Sequence, residues 1–161
     1  MAFNVGLSFV AAGVTLAVLA IGIYRGPRSV VQGIFAFGML LLSLEAALTG
    51  FVYQSGTLSE FLFRQQLLFI VASLVPAAWL LFSISFARAN YAEQISKWKW
   101  VLLLAVAAPL SLVTFFNDEF ISLVLAPENS PTFFIRTGWS GYLWHIFSSI
   151  TSIFILMNLE R

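Results

Sequence analysis

Three polar side chains that could carry chemistry lie within long apolar stretches: Glu45, Arg64 and His145. A charged side chain at the bilayer centre costs about 2.5–3.5 kcal/mol on insertion scales, so such residues usually have a partner or a task. At a rise of ~1.5 Å per residue, Glu45 lies about 12 Å and His145 about 9 Å from the same end of the expected bundle. Arg64 extends down from that end along its flexible stem, with Gln65 beside it. We therefore expect these four side chains at similar depth.

Two interpretations of this polar cluster remain open. In the functional one, Glu45, Arg64, Gln65 and His145 line an outward-facing pocket among the second, third and fifth spans, which admits a small ligand or senses lipid or protons. In the structural one, Glu45 and Arg64 only form a tolerable polar pair, and His145 bonds to a neighbouring serine. A further structural alternative is that Arg64 extends to the membrane interface and contacts neither.

Enzymatic and metal chemistry have little support in the residue pattern. A zinc-type site needs at least three protein ligands, and one histidine and one carboxylate on different helices supply no ligand spacing. The chain has no cysteine, which excludes disulfides and thiolate ligands. The serines near His145 have no Asp–His relay, and no basic run is suited to nucleic acid. We therefore predict no catalytic residue, no metal, no cofactor and no nucleic-acid partner for this segment.

Composition indicates the elements that hold these residues. The chain has 161 residues, of which 60% are hydrophobic and only 9% charged. A soluble domain of this size does not need so much apolar surface, whereas a helical membrane bundle does. No internal repeat or linker divides the chain, so we predict one all-α domain over residues 1–161. Five membrane spans are expected, at residues 4–24, 29–54, 61–88, 97–116 and 139–159.

The third span is expected to be the centre of the bundle. Wound as a helix, it places small and polar residues on one side, which a helix facing only lipid does not need. Pro76 removes a backbone hydrogen bond and predicts a kink, and Pro109 predicts another in the fourth span. The stripe of the third span consists of Gln65, Ala72, Pro76, Trp79 and Ser83.

Residues at the span ends predict how the bundle sits in a membrane. Trp98 and Trp100 alternate with lysines, and Trp139 opens the fifth span, as is typical of interfacial anchors. Between the fourth and fifth spans, two β-prone runs flank a proline-bounded turn and predict a small hairpin. The basic side chains lie mainly at the opposite end, so the positive-inside rule predicts an outward N-terminus, an inward C-terminus and an extracytoplasmic hairpin. That basic end holds six of the eight Lys and Arg residues: Arg25, Arg28, Arg88, Lys97, Lys99 and Arg161.

Three stretches resemble the membrane region of PrsK-type sensor histidine kinases, which belong to the PEP-CTERM/exosortase system of bacteria. They are Phe86-Ala-Arg-Ala-Asn-Tyr91, Lys97-Trp-Lys-Trp100, and Gly138-Trp-Ser-Gly-Tyr142 leading to Leu156-Met-Asn-Leu-Glu-Arg161. The resemblance implies the sensory input module of a two-component histidine kinase, with several passes through the bacterial inner membrane. It also implies that further helices and the kinase region, with its ATP and Mg²⁺, follow Arg161. A homodimer and a cognate response regulator are implied as partners, besides the lipid bilayer.

Two other functions are alternatives to a sensory module. In a fragment of a small-molecule transporter or channel, the region of Glu45 and His145 would line a permeation route. Such folds usually show inverted repeats and broken helices at the midplane, and the sequence shows neither in matching positions. A structural anchor for a partner protein is the third possibility.

Overall fold

A computed structural model describes residues 2–25, 29–86, 90–125 and 133–160 of the chain. Six helices and two strands occur in these ranges. In chain order they are α1 (Ala2–Arg25), α2 (Val30–Tyr53), α3 (Leu58–Ser85), α4 (Tyr91–Phe115), α5 (Asn117–Phe120), β1 (Ile121–Leu125), β2 (Phe134–Thr137) and α6 (Trp139–Leu159).

Five helices in the described part of the chain are long and apolar enough to cross a membrane: α1, α2, α3, α4 and α6. The prediction of a bundle with five helices that can cross a membrane is thereby confirmed. The helix α3 packs against α2, α4 and α6, whereas α1 packs mainly on α2. The central position predicted for the third span is therefore observed in the packing of α3.

Polar side chains bind α1 to α2 at two levels. The hydroxyl of Ser43 donates to the carbonyl oxygen of Ala12 at 3.0 Å, and Gln32 Nε2 donates to the carbonyl oxygen of Gly22 at 2.7 Å. Gln32 precedes Ser43 in α2, whereas its partner Gly22 follows Ala12 in α1. The two helices therefore run antiparallel. Such interhelical bonds contribute to association where lipid offers no hydrophobic drive.

The predicted stripe of α3 faces the interior of the bundle. Gln65, Ala72 and Ser83 are buried, and Pro76 and Trp79 are half-buried. Hydroxyl groups on this helix are satisfied within it, since Ser83 donates to the carbonyl oxygen of Leu80 at 2.8 Å. Small residues and self-satisfied hydroxyls let neighbouring helices approach closely.

Helix α4 begins at Tyr91, six residues before the start that hydropathy indicated at Lys97. The additional residues are of mixed polarity, and one of them, Glu93, pairs through its Oε1 with Lys97 Nζ at 2.7 Å. Pairs four residues apart stabilise an exposed helical turn. The expected boundary was wrong because hydropathy marks the start of the apolar run, whereas the helix extends beyond it.

The described residues 117–125 and 133–137 lie between α4 and α6, and we call them the cap segment. Its helix α5 leads into β1, which pairs antiparallel with β2 through the partners Leu123 and Arg136, Val124 and Ile135, and Leu125 and Phe134. The predicted proline-bounded turn at residues 127–131 lies outside the described residues. The ring of Phe133 contacts Phe61 in α3 with 5.1 Å between centroids. The cap segment and the α2–α3 link therefore share one end of the bundle, the cap end.

Candidate functional site

Arg64 lies near the start of α3 and is held by two neighbouring elements. Its guanidinium pairs with Glu60 one turn earlier in α3, and its Nη1 donates to the carbonyl oxygen of Phe51 in α2 at 2.6 Å. The guanidinium carbon also lies 5.9 Å from the centroid of the Phe51 ring. These contacts fasten the end of α2 to the beginning of α3, so Arg64 serves to join the two helices.

Glu60 was missed as the partner of Arg64. It is also part of the α3 N-cap, where Thr57 Oγ1 accepts from Glu60 N–H at 3.3 Å and Glu60 Oε2 accepts from Gly56 N–H at 3.0 Å. Two sequence signals point to this arrangement: the Thr-x-x-Glu capping pattern and the four-residue spacing to Arg64. The expected pairing of Arg64 with Glu45 is replaced by this local pair.

Glu45 lies half-buried in α2, where its backbone carbonyl accepts from the Thr49 hydroxyl at 2.9 Å. Among the described residues, no lysine, arginine or histidine forms an ion pair with its carboxylate. His145 is exposed on α6, and its ring meets Trp144 edge-on at 4.9 Å. Because α2 packs on α1 and α3 while α6 packs on α3 and α4, the fold separates Glu45 from His145. A binding pocket lined by these residues therefore stays a prediction. In the part of the chain that the structure describes, Glu45, Arg64 and His145 form no ion pair with one another.

The other residues singled out from the sequence have varied environments. Gln65 is buried at the cap end of α3, and Pro76 and Pro109 both lie inside continuous helices. Trp100 is 70% exposed, with Lys99 Nζ 5.5 Å from its ring centroid. Trp98 instead packs partly buried against the core around Leu80 and Ala105. The three tryptophans, with Trp139 half exposed, remain predicted anchors, of which Trp98 also contributes to packing.

A buried cluster that sequence reasoning did not single out joins α3, α5 and α6. The rings of Phe69, Phe120 and Trp144 contact one another edge to face, with centroids 4.7 to 6.2 Å apart. Trp144 Nε1 donates to Ser73 Oγ at 2.8 Å, and that hydroxyl donates to the carbonyl oxygen of Phe69 at 2.7 Å. Ser73 is 0% exposed, so this chain of bonds runs through a dry interior.

The sequence contained a signal for this cluster in the spacing of α6. Buried Gly141 and Trp144 and half-buried Ser148 fall at i, i+3 and i+7, the period of one helix face. Trp144 turns inward because its indole finds an acceptor in Ser73, whereas an exposed tryptophan is the usual expectation in a span.

These contacts hold the elements in fixed relative positions, and the groups that make them are not arranged for catalysis. The Ser73 hydroxyl is committed to the Phe69 carbonyl and accepts from an indole, so no base activates it. Within the described ranges, no three His, Cys, Asp or Glu side chains lie close enough together to hold a metal ion. What these contacts can do is fix α3, α6 and the cap segment in one relative arrangement.

One comparison with known proteins gives a match. A family model described as the N-terminal 7TM region of histidine kinase matches residues 8–159. No curated protein and no solved structure matches the chain. The match includes nearly the whole of all five membrane-spanning helices.

Proposed function

Since the chain belongs to the family of N-terminal 7TM regions of histidine kinases, we propose that it is the membrane-embedded sensory input module of a bacterial two-component kinase. The observation that carries this proposal is the family match over residues 8–159, across a bundle of five helices that can span a membrane. An input module has to pass a change at one end of the bundle to the other. The centrally packed α3 suits that task because it contacts three other long helices.

The finer assignments are also proposals. The stretches Lys97-Trp-Lys-Trp100 and Gly138-Trp-Ser-Gly-Tyr142 support a kinase of the PEP-CTERM/exosortase system, through their resemblance to PrsK-type proteins. The distribution of Lys and Arg supports a position in the inner membrane with the N-terminus and cap segment outside. A homodimer, a response regulator and a cytoplasmic region that uses ATP and Mg²⁺ complete the proposed system.

The coding sequence and a phosphorylation assay test this function. We expect a phosphoacceptor helix and an ATP-binding region to be encoded after Arg161, and the full-length protein in membrane vesicles to autophosphorylate with ATP and Mg²⁺. The region over residues 1–161 alone should neither bind ATP nor become phosphorylated. A full-length protein that does not incorporate phosphate, or ATP binding by the region alone, contradicts the proposal.

A variant in the bundle extends this test from the kinase to its input. Ser73→Ala removes the acceptor of the Trp144 indole and should change autophosphorylation of the full-length protein about threefold or more, in either direction. Ser83→Ala is the matched control, because Ser83 is equally buried on α3 but is bonded only to its own helix. Equal rates in both variants would show that the packing of α3 on α6 does not regulate the kinase.

A further inference from the structure

Phe120 is the point at which the cap segment enters the interior of the bundle. Its side chain is 1% exposed. Its ring lies between Phe69 on α3 and Trp144 on α6, at centroid distances of 4.7 and 6.2 Å. The residue therefore acts as a wedge between two membrane-spanning helices, although it belongs to the segment outside them. A close-packed interior has no room for the ring to move without its neighbours moving too.

Backbone contacts tie this wedge to the ends of α4 and α6. Phe120 N–H donates to the carbonyl oxygen of Phe116 at 2.8 Å, and Gly138 N–H donates to the carbonyl oxygen of Phe120 at 2.9 Å. A methyl group placed on Gly141 would lie 3.0 Å from Thr137 Cβ and 3.3 Å from the Phe120 carbonyl oxygen. The first turn of α6 thus lies directly against both ends of the cap segment. A shift of the cap segment necessarily reaches α6 through these contacts.

The described part of the cap segment around Phe120 is small and consists of a one-turn helix and a two-stranded sheet. A two-stranded sheet is only marginally stable on its own and depends on packing against other elements. Here Ile121 packs against the aromatic cluster, and the ring of Phe133 contacts Phe61. A change in the sheet therefore acts on the same interior contacts that hold the Phe120 ring.

We infer that the cap segment is the input element of this region, and that Phe120 transmits its displacement to the hydrogen bond between Trp144 and Ser73. When the sheet moves, the wedge withdraws or turns, α6 shifts against α3, and the indole N–H loses its acceptor. Closely packed helices respond to such a change by repacking in discrete steps, which suits a switch. The inference rests on the proposed function only where it calls the displacement a signal, because the coupling itself exists without a kinase.

Exchange of indole protons measures this coupling directly. The chain contains five tryptophans, so the ¹⁵N-labelled region in lipid nanodiscs gives five indole resonances, of which Trp144→Phe identifies one. Ile135→Pro disturbs β2 because proline lacks an N–H and fixes the backbone. We expect it to speed deuterium exchange at Trp144 Nε1 by about tenfold or more. The control Ile135→Val keeps a β-branched side chain and should leave exchange unchanged.

Phe120→Leu tests whether the Phe120 ring transmits the effect of Ile135→Pro to the Trp144 indole. Leucine keeps an apolar side chain but loses the ring contacts, so in this background Ile135→Pro should speed exchange by less than about threefold. The Trp98 indole at the opposite end of the bundle should be unaffected in every variant. Unchanged exchange at Trp144 in Ile135→Pro overturns the inference, as does an equal acceleration at Trp98, which would mean general loosening. An equally large effect in both backgrounds would exclude Phe120 as the transmitting residue. None of these outcomes depends on phosphorylation, so they are separate from the test of the proposed function.

Discussion

The buried serine hydroxyls of α3 differ in whether a side chain of another helix is hydrogen-bonded to them. Ser73 and Ser83 both donate to carbonyl oxygens of their own helix, at 2.7 and 2.8 Å. Only Ser73 also accepts a bond from another helix, through the indole of Trp144. Removing an acceptor strands a buried donor and costs its full desolvation penalty, whereas removing a donor from an already bonded helical carbonyl costs little.

Ser73→Ala is therefore expected to lower the free energy of unfolding by about 1–3 kcal/mol, and Ser83→Ala by less than about 1 kcal/mol. The measurement is the midpoint of thermal unfolding of the purified protein in detergent. Both serines are at most 1% exposed, so the comparison holds burial constant. Equal midpoints for the two variants would show that the indole bond contributes no stability.

A second residue-scale prediction concerns the ion pair of Arg64 with Glu60. The side chains are 26% and 39% exposed, so solvent screens the pair and its coupling should be only about 0.5–1 kcal/mol. Arg64→Gln should cost more than Glu60→Gln, because it also removes the bond to the Phe51 carbonyl. Unfolding of the single and double variants gives the coupling energy.

Glu45→Gln supplies the control for this cycle. Combined with Arg64→Gln it should give additive losses, since the structure forms no ion pair between Glu45 and Arg64. Two results would contradict the observed geometry: strictly additive stability losses for Arg64 and Glu60, or non-additive losses for Arg64 and Glu45. The sequence analysis placed Glu45 at a depth similar to that of Arg64 and did not consider Glu60. Depth along separate helices says little about which side chains meet, whereas four-residue spacing on one helix fixes a neighbour.

At the scale of elements, the length of the apolar runs predicted the helices better than the positions of polar residues did. The five long helices follow from runs that a bilayer requires, and the inward side of α3 follows from its small and polar stripe. The start of α4 was missed because the helix begins at Tyr91, in a stretch of mixed polarity before the long apolar run. The burial of Trp144 in α6 was not predicted, because it depends on Ser73, a residue of another helix, which the periodicity of α6 does not contain.

The contact between α6 and the cap segment predicts unequal effects of two glycine substitutions. Gly141→Ala places a methyl group 3.0 Å from Thr137 Cβ and 3.3 Å from the Phe120 carbonyl oxygen, so part of the cap segment has to shift. We expect a loss of about 1–3 kcal/mol, as for other overpacked sites. Thermal unfolding measures the loss, and faster amide exchange in β2 locates it.

Gly13→Ala is the matched control for Gly141→Ala. Gly13 also lies inside a long helix, but an added methyl group meets nothing within 4 Å. The change should be neutral or stabilising by up to about 1 kcal/mol, because alanine favours a helix more than glycine does. A loss at Gly13 as large as at Gly141 would attribute both effects to the helix backbone and none to the cap segment.

The whole molecule joins a sparsely packed first helix to a better-packed centre. Helix α1 packs mainly on α2, whereas α3 contacts α2, α4 and α6. Composition predicted a bundle, because 60% hydrophobic residues require a membrane or a large core. It did not predict which helices meet, since that depends on matching surfaces such as Gly38 against the Trp79 ring, where an added methyl group would lie 3.5 Å away.

Orientation of the bundle in the membrane is tested at the two ends of α3. Gly56 precedes this helix and Ala92 follows it, and both are exposed. The chain has no cysteine, so Gly56→Cys and Ala92→Cys each introduce a single thiol. The sequence predicts that six of the eight Lys and Arg residues flank the spans on the side of Ala92, and such residues are retained in the cytoplasm during insertion. We expect an impermeant maleimide to label Gly56→Cys in intact cells, and Ala92→Cys only after permeabilisation. The opposite pattern would invert the orientation, and equal labelling of both in intact cells would show that α3 does not separate the two sides.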